Sequence, residues 1–375
     1  MKTHTLLYCL LLAIIVWGAS AGNLRAQEET DKVNIFGIAT ADYRIFGANK
    51  DAAIANGAVS NTFNVQFNLF IAGNIGSEWK YLAELYIQND FRFQQQIDSP
   101  IDYSEQFLHQ LWIEWRPSDA FGLRFGRILL PFASFNSIHS RANLYWFIQR
   151  PFPYDEPAST DGIGEVRAEF GNLSASGVVR LGDGLKLDYV GYVGNTDRQI
   201  LNGFDLSGAK TFGTRIALRT DNITLGLSAA TNLIADKDSV AQSNRTLLAG
   251  DIKGEFGNVN LIGEFIQGFE NFEAIPGRTG FNIRNYQSGI VNQFAYLSLG
   301  YDFTEQWLAF AGFDFYRTNE QGARFERNSA LRATGGINFR PADKVIVKAQ
   351  ASYHLASGAE IPPYLSAALG CVVSF

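Results

Sequence analysis

Few residues of this sequence stand at a spacing that could support covalent catalysis. Ser137 and His139 lie two positions apart and are a possible pairing of a hydroxyl nucleophile with an imidazole base. A catalytic serine needs a base within hydrogen-bond reach, and that base must be oriented by a third group. Residues this close in sequence merely share a turn, and no orienting group accompanies them. The sequence therefore predicts that the protein is not an enzyme and has no catalytic residue.

A metal or cofactor site is not indicated either. After the first residues, the histidines are His109, His139 and His354, which are widely spaced. A dedicated metal site needs ligands that cluster, usually with a characteristic spacing. No glycine motif of the kind that cradles phosphate occurs beyond the N-terminal leader. We therefore expect neither a metal nor a cofactor.

The N-terminal residues have the pattern of an export signal. Lys2 supplies a positive start, the run from Leu6 to Trp17 is continuously apolar, and Ala19-Ser20-Ala21 fits a small-residue cleavage site. Such a run is too short to span a membrane as a helix. Residues 1–21 are interpreted as a secretory signal peptide, with cleavage after Ala26 as the alternative.

The composition of the remaining chain excludes some classes of protein. Removing residues 1–26 takes away Lys2 and Arg25 and leaves 29 basic against 37 acidic side chains, a formal net charge of −8. This balance argues against binding to nucleic acid, which requires basic patches. Cys371 is then the remaining cysteine, so no intrachain disulfide is expected. The many Phe, Tyr and Gly residues and the single Met are typical of a β protein.

Alternation of apolar and polar residues is the dominant pattern along the chain. A soluble sandwich also alternates, but its strands are typically about five or six residues long. Here many segments run to ten or more residues, the length that a tilted strand needs to cross a bilayer. Their polar faces carry Asn, Gln and charges of both signs, as expected for a water-filled lumen. The clearest segments are 63–71, 81–93, 106–116, 331–340 and 345–354.

Turn signals between these segments set the number of strands. Seven short turns lie near residues 76–78, 117–119, 182–184, 221–222, 257–258, 304–305 and 341–343. Longer polar segments lie near 47–60, 94–105, 131–161, 195–210, 236–243, 271–291, 320–328 and 357–363. Short periplasmic turns and long external loops are typical of outer-membrane barrels. Residues 27–375 are therefore predicted to form one all-β domain, a transmembrane antiparallel β-barrel of about 16 strands.

The C-terminal segment supports this prediction. One face of the segment 365–375 carries Leu365, Ala367, Leu369, Cys371, Val373 and Phe375, and the other face is smaller and more polar, so the segment forms a strand with one apolar face. Lipid offers no partner to an open sheet edge, so the last strand must pair with the first. A final strand ending on Phe375 resembles the C-terminal signal of outer-membrane proteins, which implies recognition by the barrel assembly machinery. The aromatic residues flanking the short turns fit an interfacial girdle: Trp79, Tyr81, Trp115, Phe121, Phe303 and Trp307.

The long connection at residues 131–161 differs from the other loops. Its length suggests a function, and its aromatic content argues against disorder. An apolar loop of this kind is sheltered from water if it folds into the barrel, where it narrows the pore. It follows the fifth predicted strand.

The residues around this loop resemble those of the outer-membrane porins grouped with the phosphate-selective porins O and P. The resemblance covers about residues 121–195 and rests on Gly126-Arg127, Pro131-Phe132, Phe135-Asn136, Arg150-Pro151-Phe152 and Asp161-Gly162. It implies a passive channel, commonly trimeric, whose third loop folds inward. Anion selectors of that family rely on dense Arg and Lys in the bore, whereas this loop carries charges of both signs.

The candidate residues of the pore constriction are Arg124, Arg141, Arg150, Asp155, Glu156 and Asp161. Either Arg141 and Arg150 line the pore, or they pair with the three acids and only fix the loop. The expected function is passive diffusion of small hydrophilic solutes or ions, including anions such as phosphate. The alternatives are a dedicated transporter of a specific, even hydrophobic, compound and a structural or adhesive barrel. The expected partners are outer-membrane lipids, the barrel assembly machinery, the solutes and two further copies of the chain.

Overall fold

Sixteen antiparallel strands make up nearly all of the described chain. The computed structural model describes residues 33–46, 62–92, 101–136, 144–154, 172–195, 210–235, 241–274, 289–319, 329–357 and 363–375. The strands are β1 (Val33–Phe46), β2 (Thr62–Ile75), β3 (Trp79–Arg92), β4 (Ile101–Ser118), β5 (Phe121–Arg127), β6 (Asn172–Gly182), β7 (Leu185–Asn195), β8 (Lys210–Arg219), β9 (Ile223–Ala235), β10 (Ala241–Phe256), β11 (Val259–Ala274), β12 (Ile290–Asp302), β13 (Trp307–Thr318), β14 (Ser329–Ala342), β15 (Val345–Ser357) and β16 (Tyr364–Ser374).

The strands form a closed barrel. Each strand pairs with its neighbours in sequence, and β1 pairs with β16 to complete the circle. The prediction of an antiparallel barrel of about 16 strands is confirmed. Among the residues that the structure describes, no helix has the length and apolar character needed to cross a membrane.

The two faces of the sheet have different chemistry because side chains alternate along each strand. On β12, Tyr296 and Ser298 face the lumen and are buried, whereas Leu297 and Leu299 are almost half exposed on the outer wall. The same exposed apolar residues recur around the barrel, as at Leu227 and Leu369. The outer wall therefore has the apolar surface that a lipid environment requires.

All seven connections predicted to be short are short. They contain two to four residues, and they lie at the same end of the barrel as the start of β1 and the end of β16. The connections at the opposite end range from five residues to the 44 between β5 and β6. Three strands reach further into this end than predicted, because residues 101–105, 241–243 and 271–274 continue the pairing ladder.

The seam between β1 and β16 is closed by the last residue. The backbone N–H of Gly37 donates to the carbonyl of Phe375 at 3.0 Å, and the N–H of Phe375 donates to the carbonyl of Gly37 at 3.1 Å. The Phe375 ring lies directly over Gly37, where a Cβ atom would stand 2.3 Å from the ring. It also stacks on Phe67, with 5.8 Å between ring centroids. The predicted apolar terminal strand thus lies at the point of closure.

Aromatic side chains surround the short-turn end, as predicted. Trp79, Phe121, Phe303 and Trp307 are exposed there. The Trp115 indole donates to the Glu78 carboxylate in the adjacent turn at 2.8 Å, which combines an apolar ring with a polar contact. Amphipathic rings of this kind favour the boundary between lipid and water.

The seam gives a first prediction. Gly37→Ala places a methyl group inside the Phe375 ring, so the ring must move away from the seam. We expect overpacking to lower the stability of the folded barrel by about 1–3 kcal/mol. The folded fraction is measured by heat-modifiable migration in gels during a urea titration. Gly191→Ala is the matched control, since nothing lies within 4 Å of its added methyl group. Equal stability of the two variants would contradict the role assigned to Phe375.

Candidate functional site

The connection after β5 enters the barrel. Residues 128–154, here called the inward segment, are described as 128–136 and 144–154. The chain leaves regular sheet geometry at Gly126, whose φ of +133° suits glycine alone and where a Cβ atom would stand 2.2 Å from the Leu111 carbonyl oxygen. Gly126 of the Gly126-Arg127 motif therefore has a structural role, because its backbone conformation allows the chain to leave β5 and enter the inward segment.

An apolar core lies inside the barrel, between the inward segment and one wall. The contributing side chains are almost completely buried: Ile128, Leu130, Phe132, Phe135, Phe147 and Tyr154 from the segment, and Leu247, Ile262, Ile266, Phe294 and Phe310 from β10–β13. The expectation that this loop shelters its aromatic residues in the lumen is confirmed. On this wall the inner face is apolar where it packs against the segment.

Glu264 on β11 fixes the first half of the segment. Its carboxylate accepts hydrogen bonds from the backbone N–H groups of Ser134 at 2.8 Å and Phe135 at 2.6 Å. It also accepts from the hydroxyls of Ser134 at 2.9 Å and Tyr154 at 2.8 Å. These amides begin a single helical turn, α1 (Ala133–Asn136), so the acid caps its N-terminus. Burial, together with the neighbouring Glu264, raises the pKa of Tyr154 well above its ordinary value, so its hydroxyl remains a donor.

Polar side chains of β12–β15 fix the second half. The Lys348 ammonium donates to the backbone carbonyls of Tyr145 and Phe147. The Gln350 amide oxygen accepts from the backbone N–H of Ile148 at 2.7 Å. The Trp146 indole donates to the Ser298 hydroxyl at 2.8 Å. The segment thus uses side chains from several strands of one wall to satisfy its backbone groups.

Arg150 lies at the point where the segment turns toward β2. Its backbone carbonyl accepts from Arg332, whose guanidinium also pairs with Asp314 at 3.0 Å and lies over the Phe152 ring. The Arg150 side chain donates to the Gln66 amide oxygen at 3.4 Å. The structure therefore brings Arg150 into the lumen. The other loop candidates, Arg141, Asp155, Glu156 and Asp161, fall outside the described residues.

Arg124 is on β5 rather than on the inward segment, close to the short-turn end. Its guanidinium pairs with Glu114 on β4 at 2.7 Å and lies over the Trp112 ring, 4.0 Å from the centroid. Arg116 binds the same carboxylate at 2.5 Å. Arg124 was predicted from the sequence as a candidate, but its sharing of Glu114 with Arg116 was not. The alternation pattern indicates that Glu114 and Arg116 face inward, although their contact depends on the register of the strands.

Other lumen charges also pair between strands that are adjacent or separated by one strand. In each case an arginine and an acid on the inner face come within 4 Å, which balances charge where water is restricted. These pairs are Arg215–Asp251, Arg219–Asp188, Arg245–Glu270 and Arg340–Asp302. In the described part of the chain, no group of three or more His, Cys, Asp or Glu side chains could hold a metal ion.

Known structures have the same fold, although no family model and no curated protein matches the chain in sequence. The anion-selective porin from Comamonas acidovorans has a TM-score of 0.57 and 13% identity, with 92% of this chain and 100% of that chain covered. The outer membrane channel DcaP of Acinetobacter baumannii has a TM-score of 0.57, 11% identity and coverages of 93% and 99%. OprB of Pseudomonas putida has a TM-score of 0.58, 12% identity and coverages of 96% and 97%. At these identities the likeness establishes the fold, a closed barrel of the porin type.

The contacts of Glu264 give a second prediction. Glu264→Ala removes the acceptor of two backbone amides and two hydroxyls in a buried site. Each group left without a partner costs about 1–3 kcal/mol, so we expect a lower unfolding midpoint in urea. Hydrogen exchange at the amides of Ser134 and Phe135 should also become faster. The control is Glu255→Ala, which removes an exposed acid. Unchanged amide exchange in Glu264→Ala would show that the apolar core alone holds the segment.

Proposed function

We propose that the protein is an outer-membrane porin, a passive diffusion channel for small hydrophilic solutes. The observation that carries the proposal is the fastening of the inward segment to one wall of a closed barrel. Most of the side chains that hold the segment lie on β9–β15, so the proposed passage runs along the other side, near β4–β8. Charged side chains there, Arg116, Arg124, Asp188 and Arg219, retain partial exposure, as expected where water remains. Small inorganic anions, phosphate among them, belong to the solutes that such a lumen would admit.

A transporter for hydrophobic compounds is the less favoured alternative. The lumen does contain apolar side chains, but Leu247, Ile262, Ile266 and Phe294 are fully covered. The inward segment occupies the surface that an apolar solute would need. The apolar core is therefore better explained as the attachment of the segment than as a binding site.

The proposal includes a location and partners. Residues 1–21 would direct export, and the barrel assembly machinery would insert residues 27–375 into the outer membrane. The apolar outer wall would contact lipid. The trimeric assembly implied by the sequence resemblance is also part of this proposal.

Planar bilayer recording tests the channel and the role of the inward segment. We expect open, ohmic channels from the purified chain, because passive diffusion needs no gating step. Replacing residues 144–150 by a short Gly-Ser linker should raise single-channel conductance, since it removes side chains that lie inside the barrel. A folded wild-type barrel without conductance would overturn the proposal. Unchanged conductance in the linker variant would show that residues 131–161 do not form the constriction.

Neutralising two arginines distinguishes lining from fixing. If Arg141 and Arg150 line the passage, the double change to Gln removes positive charge from a confined, weakly screened space. The reversal potential in a salt gradient should then move toward cation preference. If they only fix the loop, conductance or its noise should rise while the reversal potential stays constant. Arg317→Gln is the control, because this exposed arginine lies on the outer face of β13.

Deleting Phe375 tests recognition by the assembly machinery. We expect less heat-modifiable barrel in the outer membrane, while synthesis and export continue. Gly37→Ala disturbs the same contact but keeps the terminal residue, so a comparison of the two separates recognition from packing. Normal amounts of assembled barrel after the deletion would contradict the proposal.

A further inference from the structure

Two arginines share one buried carboxylate on the inner face of β4 and β5. Glu114 is only 3% exposed, and its two oxygens accept from Arg116 and Arg124. Within the described residues it is the one acid that pairs with either guanidinium. The local charge is therefore about one positive unit. Arg116 and Arg124, together with the carboxylate of Glu114 that they share, are called the arginine pair below.

The strands make room for the arginine pair. Gly122 on β5 lies beside it, and a Cβ atom there would stand 3.0 Å from a Glu114 oxygen and 3.1 Å from an Arg116 nitrogen. The second end of the Arg116 guanidinium reaches the Ser176 hydroxyl on β6 at 3.2 Å. The pair is thus held across three strands, with its geometry set by the sheet.

Each guanidinium retains donors for a further anion. An arginine has five N–H donors, and both arginines bind Glu114 through Nε, Arg124 also through one Nη. Among the described contacts, the Nη1 atoms of both arginines take no part. The side chains of Arg116 and Arg124 remain 22% and 33% exposed, so both guanidinium groups are accessible in part.

Aromatic surface adjoins the arginine pair. The Trp112 ring lies under the Arg124 guanidinium and packs against the apolar core of the inward segment. Tyr145 and Trp146 of the segment are partly buried against the same core. Tyr145 also contacts Lys253, and Trp146 contacts Ser298, both close to the short-turn ends of their strands. Trp112 is therefore the aromatic residue at the arginine pair, whereas Tyr145 and Trp146 lie against β10 and β12.

We propose that the arginine pair and Trp112 form a binding site for small aromatic carboxylates that pass through the lumen. The carboxylate would accept from the Nη groups, a geometry that guanidinium favours. The ring would pack against the Trp112 indole, which favours a planar apolar body. An inorganic anion would bind the guanidinium groups but would gain nothing from the indole. This inference rests on the proposed function, since it identifies a solute class for that channel.

Isothermal titration calorimetry on the purified, detergent-solubilised barrel tests the site apart from conduction. The probes are benzoate, cyclohexanecarboxylate and inorganic phosphate. We expect benzoate to bind more tightly than the other two, because it alone combines a carboxylate with a planar ring. Arg124→Gln should weaken benzoate binding by roughly tenfold, as for loss of a charged hydrogen bond. Trp112→Leu should bring the Kd of benzoate to that of cyclohexanecarboxylate.

Arg340→Gln is the matched control. Arg340 also pairs with a lumen acid, Asp302, and its side chain is 39% exposed. Benzoate affinity should be unchanged in this variant. Equal weakening in Arg340→Gln and Arg124→Gln would show a diffuse positive field and overturn the proposal. So would phosphate binding as tight as that of benzoate, or no benzoate binding by a folded barrel. Conductance in KCl alone, without benzoate, reports separately on the proposed channel.

Discussion

A strand surrounded by lipid has no water to satisfy its backbone N–H and C=O groups, and the rest of this structure depends on that constraint. Every strand must have two hydrogen-bonded neighbours, so the sheet has to close. Closure is completed where β16 meets β1 and the Phe375 backbone pairs with Gly37. Once the ladder is closed, side-chain alternation alone decides what faces lipid and what faces the lumen.

The lumen then combines two kinds of interior. On the side of β10–β15, the inward segment packs into a buried apolar core, and Glu264, Lys348 and Gln350 bind its backbone groups. On the side of β4–β8, arginines and acids alternate and keep some exposure. The first side fixes the segment, and the second provides the polar surface along which a hydrophilic solute could move.

The barrel was predictable from sequence because its signals are local. Period-two alternation and the turn residues near Gly76, Asp183 and Gly257 determine strands and short turns without reference to distant residues. The inner core was not predictable in this way. The middle of β12 has Phe294 and Tyr296 on its inner face and Ala295 and Leu297 on its outer face, so alternation there cannot indicate that Phe294 packs against a loop. The bond from Phe135 to Glu264 joins residues 129 positions apart, and only the closed topology brings them together.

The one-sided attachment of the inward segment has a mechanical consequence. The half of the barrel near β9–β15 is braced from within by most of the packed core. On the opposite side, among the described residues, Trp112 and Tyr192 reach that core, and the strands are otherwise held by their backbone ladder and by pairs of charges. A closed ring with unequal stiffness deforms where it is thinnest. Lateral pressure from the bilayer should therefore make the cross-section oval by bending the less braced half. The proposed passage would change shape there, while the inward segment keeps its place.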